Sequence, residues 1–221
     1  MSGGMEIEEQ LEDGFRAQFG SVEAWRGAAS NAWQAGADGI CLYNLFPKDA
    51  NHPVFVSVGE QETLNGLNKI FAVDNRREYY GGIRQGLEQE GLLPINLDYP
   101  GLPPKVGLPI GDDIAGAAIS GRLRSARLGV KFSGLSHSQD RVEVRLNDRL
   151  LSVESAKPEL GWFVYRPEPG AFRLGDNTVE FRVTRRSVIR APVIDEIHPH
   201  RGAIWVTVVE ALVEYERPAP A

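Results

Sequence analysis

The sequence predicts an α+β protein in which an N-terminal α/β segment precedes a C-terminal antiparallel β-sandwich. Residues 21–37 have helical periodicity and lead into an apolar run at residues 39–46, which is typical of a helix followed by a strand covered on both faces. From about residue 114 onward, apolar and polar residues instead alternate between turns, as expected for antiparallel strands.

The first helix carries its own start and stop signals. Ser21 is a suitable N-cap residue, and Gly36 favours termination. One face of this helix is apolar, and it comprises Val22, Trp25, Ala29, Ala32 and Trp33.

A second helix is expected at residues 63–73, TLNGLNKIFAV, because Leu64, Leu67, Ile70 and Phe71 fall on one helical stripe. The N-terminal order would then be helix, strand, loop and helix.

Residues 91–113 are dense in proline and glycine, which excludes a regular helix and a central strand. They are also apolar, so we expect a packed connection between two domains. The organisation that follows is an α/β segment at 1–90, this connection at 91–113, a β-sandwich at 114–217 and a short tail at 218–221.

The strands of the C-terminal part are marked by alternation and by turns. RVEVRLN and NTVEFRVT alternate cleanly, and Asn147-Asp148 provides a tight turn after the first of them. RLRSARLGVKF, WFVYRP and IWVTVVEALVEYE supply further strands.

Two stretches resemble known families. AWRGAASNAWQAGADGICLYNLF resembles the last helix–strand unit of the (β/α)8 barrel in bacterial glycoside-hydrolase-like proteins. DRVEVRLNDRLL, GWFVYRP and LGDNTVEFRV resemble a galactose-binding-like accessory module, a jelly-roll sandwich with an Asn-containing turn and a Gly-x-Asn turn.

The resemblance implies the C-terminal region of such a protein, with a carbohydrate-binding or barrel-supporting function. A complete barrel needs about 250 residues, whereas only about 90 precede the connection. The acids of the earlier barrel strands would be missing, so we expect no catalysis by this chain alone. One alternative is a structural module that self-associates through the exposed barrel-tail surface. An enzyme with acids assembled from loops is another.

Five residues are candidates for sugar contact under this hypothesis. Tyr43 and Asn44 lie near the end of the barrel-like strand, where such barrels bind substrate, although both could instead have packing and loop roles. Trp162, Tyr165 and Trp205 could stack on a sugar ring, or else belong to the sandwich core. No catalytic residue is assigned, because the adjacent Asp112 and Asp113 would point to opposite faces of an extended chain. A solvated strand start or a calcium-type cluster suits these two acids better.

Composition excludes several classes of function. The net charge of −6 over 221 residues argues against a nucleic-acid partner. The lone Cys41 permits no internal disulfide, and we expect it to be a small buried apolar residue. His198 and His200 flank Pro199, which argues against a metal site, and no cofactor motif is present.

No apolar run reaches the length of about 20 residues that a membrane span needs, and the N-terminus lacks a signal-peptide core. We therefore expect a cytoplasmic chain as written, although a longer parent protein could carry an export signal.

Overall fold

The computed structural model describes residues 21–42, 51–74, 93–98, 101–186 and 203–216. Within these ranges, two antiparallel sheets form a sandwich-like domain. The first sheet has the order β1-β10-β4-β8-β7, with β2 also paired to β10, and the second has the order β3-β9-β5-β6. The strands are β1 (Lys69–Asp74), β2 (Ile95–Asn96), β3 (Lys105–Gly107), β4 (Leu123–Ser133), β5 (Arg141–Leu146), β6 (Arg149–Leu150), β7 (Val153–Lys157), β8 (Trp162–Tyr165), β9 (Thr178–Arg185) and β10 (Trp205–Tyr215).

In the described part of the chain, three short helices accompany the sheets: α1 (Val22–Gln34), α2 (Pro53–Val58) and α3 (Ile114–Ile119). None of the helices in the described part of the chain has the length and apolar character that a membrane-spanning helix needs.

The main core lies between the two sheets. Alternate residues of each strand point inward, as the sequence pattern predicts, and burying one large side chain contributes about 1.5–3 kcal/mol. Fully buried members include Leu128 and Val130 of β4, Val179 and Phe181 of β9, and Val209, Ala211 and Val213 of β10.

The predicted first helix is confirmed. The Ser21 hydroxyl accepts a hydrogen bond from the Ala24 backbone N–H at 3.1 Å, and Gly36 adopts a φ of +89° just after the helix. The helix packs closely on β1 through Gly27, because a Cβ atom there would lie 2.0 Å from the carbonyl oxygen of Ile70. A glycine is therefore required at this contact.

The prediction of a helix at residues 63–73 is wrong. A 3-10 turn at Glu62–Leu64 is followed by Gly66 with a φ of +71°, and the chain then enters strand β1. This strand pairs with β10 over its full length, for example Phe71 with Ala211. Long-range pairing of the run Lys69–Asp74 outweighs the helical spacing of its apolar residues.

A parallel strand was expected at residues 39–46. Residues 39–42 lie in no strand, and residues 43–46 lie outside the described ranges. Cys41 is exposed, so the expectation that it is buried is wrong. The (β/α)8 character of the N-terminal segment is therefore not shown.

The proline-rich connection is packed, as expected. It supplies β2 to the first sheet and β3 to the second. Strand β3 lies at a sheet edge, where neighbouring prolines are tolerated. Leu108 and Ile110 are fully buried, so the connection is part of the core.

The two asparagine turns that were singled out in the sequence meet in the structure. The Asn147 amide donates to Asn177 Oδ1 at 2.7 Å, and the Thr178 N–H donates to Asn147 Oδ1 at 3.0 Å. The Asn177 amide in turn donates to the carbonyls of Arg173 and Gly175. Asn177 is only 2% exposed, so these contacts satisfy a buried amide and join the turn after β5 to the loop before β9.

We expect Asn177→Asp to lower the free energy of unfolding by roughly 3 kcal/mol, because the NH2 group that donates to two carbonyls becomes a carboxylate oxygen that faces them. Chemical denaturation measures this loss. The neighbouring Asp176 is exposed, so Asp176→Ala is the matched control and should change stability by about 0.5 kcal/mol or less. Equal effects of the two substitutions would contradict the proposed role of the asparagine pair.

Candidate functional site

A cleft opens between the two sheets at the edge where β5 faces β7 and β8. Its volume is about 240 Å³. Apolar side chains form most of the wall, and four polar side chains join them. The lining comprises Phe132, Leu135, His137, Asp140, Arg141, Val142, Val153, Phe163 and Tyr165.

An aromatic pair forms one wall of the cleft. The ring of His137 is stacked on that of Phe163, with centroids 5.2 Å apart and planes within 2° of parallel. Phe132 meets Phe163 edge-to-face at 5.4 Å, which fixes the orientation of the pair. The His137 Nε2 atom is buried and has no hydrogen-bond partner within the described residues. A ligand in the cleft could supply that partner.

The loop that carries His137 is held rigidly by Asp140. The Asp140 carboxylate accepts hydrogen bonds from the Ser136 N–H and from Arg186, each at 2.8 Å, and its side chain is fully buried. Arg186 also binds Asp98 at 2.9 Å, and Asp98 in turn accepts from the Ile204 N–H. Asp140 is therefore a support for the loop, because its carboxylate is already occupied.

Arg141 lies at the rim of the cleft. Its Nη1 atom donates to the carbonyls of His137 and Asp140, at 3.0 Å and 2.7 Å. These acceptors are neutral, so the guanidinium charge is not matched by them. The other nitrogens of a planar guanidinium can still donate to a ligand.

Tyr165 also lines the cleft and is 2% exposed. Burial raises the pKa of its hydroxyl group well above the ordinary value. The hydroxyl therefore remains protonated at neutral pH and can donate a hydrogen bond.

The structure does not bring the described members of the five sugar-contact candidates together at the cleft. Tyr165 lines the cleft, but Trp162 lies outside its lining, with the Lys131 ammonium 5.9 Å from its ring centroid. Trp205 is half-buried at the start of β10, where it pairs with Ser133. Tyr43 and Asn44 lie outside the described residues.

Sequence reasoning missed His137 and Phe163. Successive residues of a strand point to opposite faces, so Phe163 shares a face with Tyr165 whereas Trp162 does not. The stretch WFVYRP already indicated, by this alternation, that Phe163 and Tyr165 face the same way. His137 carried a weaker signal, since it is one polar residue in a loop between two alternating strands.

A second polar cluster joins the N-terminal segment to the sandwich. Lys69 is 1% exposed, and its Nζ atom donates to the carbonyls of Leu64 and Leu67 and to the Asp112 carboxylate. Three acceptors match the three donors of an ammonium group. Asp112 also accepts from the hydroxyls of Ser30 and Tyr215.

The pKa values in this cluster reflect its burial. Desolvation lowers the pKa of Lys69, and Asp112 partly offsets that effect. Desolvation, and then the Asp112 charge, raise the pKa of Tyr215. The cluster is closed to a substrate, because its cation is fully buried, so its role is structural.

The expectation of a solvated strand start at Asp112 and Asp113 is wrong. Asp112 forms the buried ion pair, and Asp113 is the N-cap of α3, accepting from the Gly116 N–H at 2.8 Å. No group of three or more metal-ligating side chains is gathered within the described ranges, and His198 and His200 lie outside them.

No protein-family model matches this chain, and no curated protein shows significant sequence similarity to it.

We expect Asp112→Asn to lower the free energy of unfolding by about 3 kcal/mol or more, because it leaves the Lys69 ammonium buried without its counter-charge. Denaturant titration gives the value, and the double variant Lys69→Met with Asp112→Asn should recover part of the loss.

Asp113→Asn is the matched control, since asparagine caps a helix as well as aspartate does. It should be nearly neutral. A loss for Asp112→Asn no larger than that of this control would contradict the ion pair's role.

Proposed function

We propose that this chain is a non-catalytic carbohydrate-binding β-sandwich module, related to the C-terminal accessory regions of glycoside-hydrolase-like proteins. The observation that carries the proposal is the cleft between β5 and β7–β8, with the stacked rings of His137 and Phe163 in its wall. Sugar rings present apolar C–H faces that pack against such rings, while their hydroxyls need nearby polar groups. Tyr165, Arg141 and His137 Nε2 would provide those groups.

The size of the cleft favours one sugar unit. Sites for drug-sized ligands usually enclose about 300–1,000 Å³, whereas this cleft holds about 240 Å³. A monosaccharide, or the end unit of a longer glycan, suits this volume.

Binding suits the cleft better than hydrolysis does. Glycosidases of the usual kinds need two carboxyl groups about 5–10 Å apart on either side of the scissile bond. Asp140 is the only acid among the described residues that line the cleft, and it is engaged by Arg186. The described residues therefore do not assemble a catalytic pair there.

Removing the imidazole tests the proposal. We expect His137→Ala to weaken monosaccharide binding by about tenfold, because it removes both the stacked ring and a polar partner. Nuclear magnetic resonance titration with a panel of monosaccharides measures the affinity, and shifts should be largest for residues that line the cleft.

The matched control is Gln139→Ala, in the same loop but exposed and outside the cleft lining. It should bind as the unmodified chain does. If no monosaccharide in the panel perturbs the cleft residues at millimolar concentration, the proposal is wrong.

A second candidate function is self-association through the N-terminal segment. Helix α2 buries Val54 and Val58 but exposes its neighbours Phe55 (40%) and Val56 (67%) to solvent. Contiguous exposed apolar patches mark association surfaces, and these two side chains would be the start of such a patch. A second copy of this chain is the occupant that this hypothesis names.

Sedimentation velocity over a range of concentrations distinguishes this hypothesis. We expect a weak dimer that the double variant Phe55→Ser with Val56→Ser dissociates. Ile119→Ser removes an even more exposed apolar side chain, from α3 (89% exposed), and should leave the dimer intact. A monomer at every concentration would contradict self-association.

A further inference from the structure

Two arginines are brought together beside the cleft. Arg141 of β5 is paired directly with Arg185 of β9 in the strand register. Side chains opposite each other on antiparallel strands have Cβ atoms about 5 Å apart, and like charges in that arrangement are destabilising. A neighbouring anion would relieve the repulsion.

The strand register places this pair beside the cleft. Arg141 is among the residues that line the cleft, and Arg185 is its direct partner on β9. The register skips Thr184 at this point, since Val142 pairs with Val183 whereas Arg141 pairs with Arg185. The pair therefore lies at the irregular end of β5 and β9, next to the cleft.

The two arginines lack a carboxylate partner among the described residues, since no acidic side chain there lies within ion-pair distance of Arg141 or Arg185. The ion pairs recorded there are Lys69–Asp112, Lys105–Glu180, Arg127–Glu214, Arg166–Glu154, Arg186–Asp98 and Arg186–Asp140. Asp98 and Asp140, the described acids at this end, share Arg186. The charge that the described residues place beside the cleft is therefore positive, on a chain whose net charge is −6.

We propose that the cleft binds an anionic sugar unit, with its acidic group held by Arg141 and Arg185 and its ring against His137 and Phe163. This inference rests on the proposed function and specifies the ligand class. Guanidinium groups bind carboxylate and sulfate through paired, charge-assisted hydrogen bonds. Both anions are suitable ligands, and the experiment separates them.

Calorimetric titration with galactose, galacturonate and galactose 6-sulfate tests the inference, because these sugars differ in the group at C6. We expect at least one acidic sugar to bind about tenfold or more tightly than galactose, as one charge-assisted contact provides. Its affinity should fall as salt is raised, whereas that of galactose should not. The stronger of the two acidic ligands identifies the anion.

Arg185→Gln should abolish the preference for the acidic sugar, and Arg182→Gln should not. Arg182 is the matched control, because it is an exposed arginine of the same strand that already pairs with an acidic residue, Glu143. The Arg185 side chain makes no hydrogen bond to another described residue that its replacement would remove, so the variant should fold normally. Circular dichroism checks this.

Equal affinities for the three sugars, or equal effects of the two arginine substitutions, would overturn the inference while leaving sugar binding in place. Binding of none of the three sugars would overturn it too. In that case, perturbation of the cleft by another monosaccharide of the panel decides whether the proposed function survives.

Discussion

The pairing of β1 with β10 is the constraint on which the rest of the structure depends. Strand β10 runs through the first sheet with β1 on one side and β4 on the other. Because β1 lies in the first third of the sequence and β10 near its end, this pairing brings distant parts of the chain into one sheet. Helix α1 then packs on β1 through Gly27.

The same constraint explains the buried ion pair. Lys69 begins β1 and cannot reach solvent, so the fold must supply acceptors around its ammonium group. Asp112 supplies the charge, and it also binds Ser30 of α1 and Tyr215 of β10. One carboxylate thus connects helix, edge strand and central strand. The sandwich and the N-terminal segment are joined by specific polar contacts as well as by apolar packing.

The sandwich strands could be predicted because their signals are local. Alternation in RVEVRLN and NTVEFRVT follows directly from the two-residue period of a strand, and the asparagine turns follow from local hydrogen bonding. Strand β1 could not be predicted in this way, since Leu64, Leu67, Ile70 and Phe71 also fit a helix. Its pairing partner lies some 140 residues further along the chain, for example Val213 opposite Lys69. The candidate site could likewise be predicted only where its signals are local. Tyr165 was a candidate from its own strand pattern. The contact of Arg186 with Asp98, which supports the site, joins residues 88 positions apart, and no local pattern reveals it.

Native-state hydrogen exchange measures most directly whether β1 is an integral strand of the sandwich. We expect the β1 amides that face β10 to be protected as strongly as those of β10 itself, since both would open only with the whole sheet. Fast exchange in β1 beside slow exchange in β10 would show that the N-terminal segment opens independently, and would contradict this account.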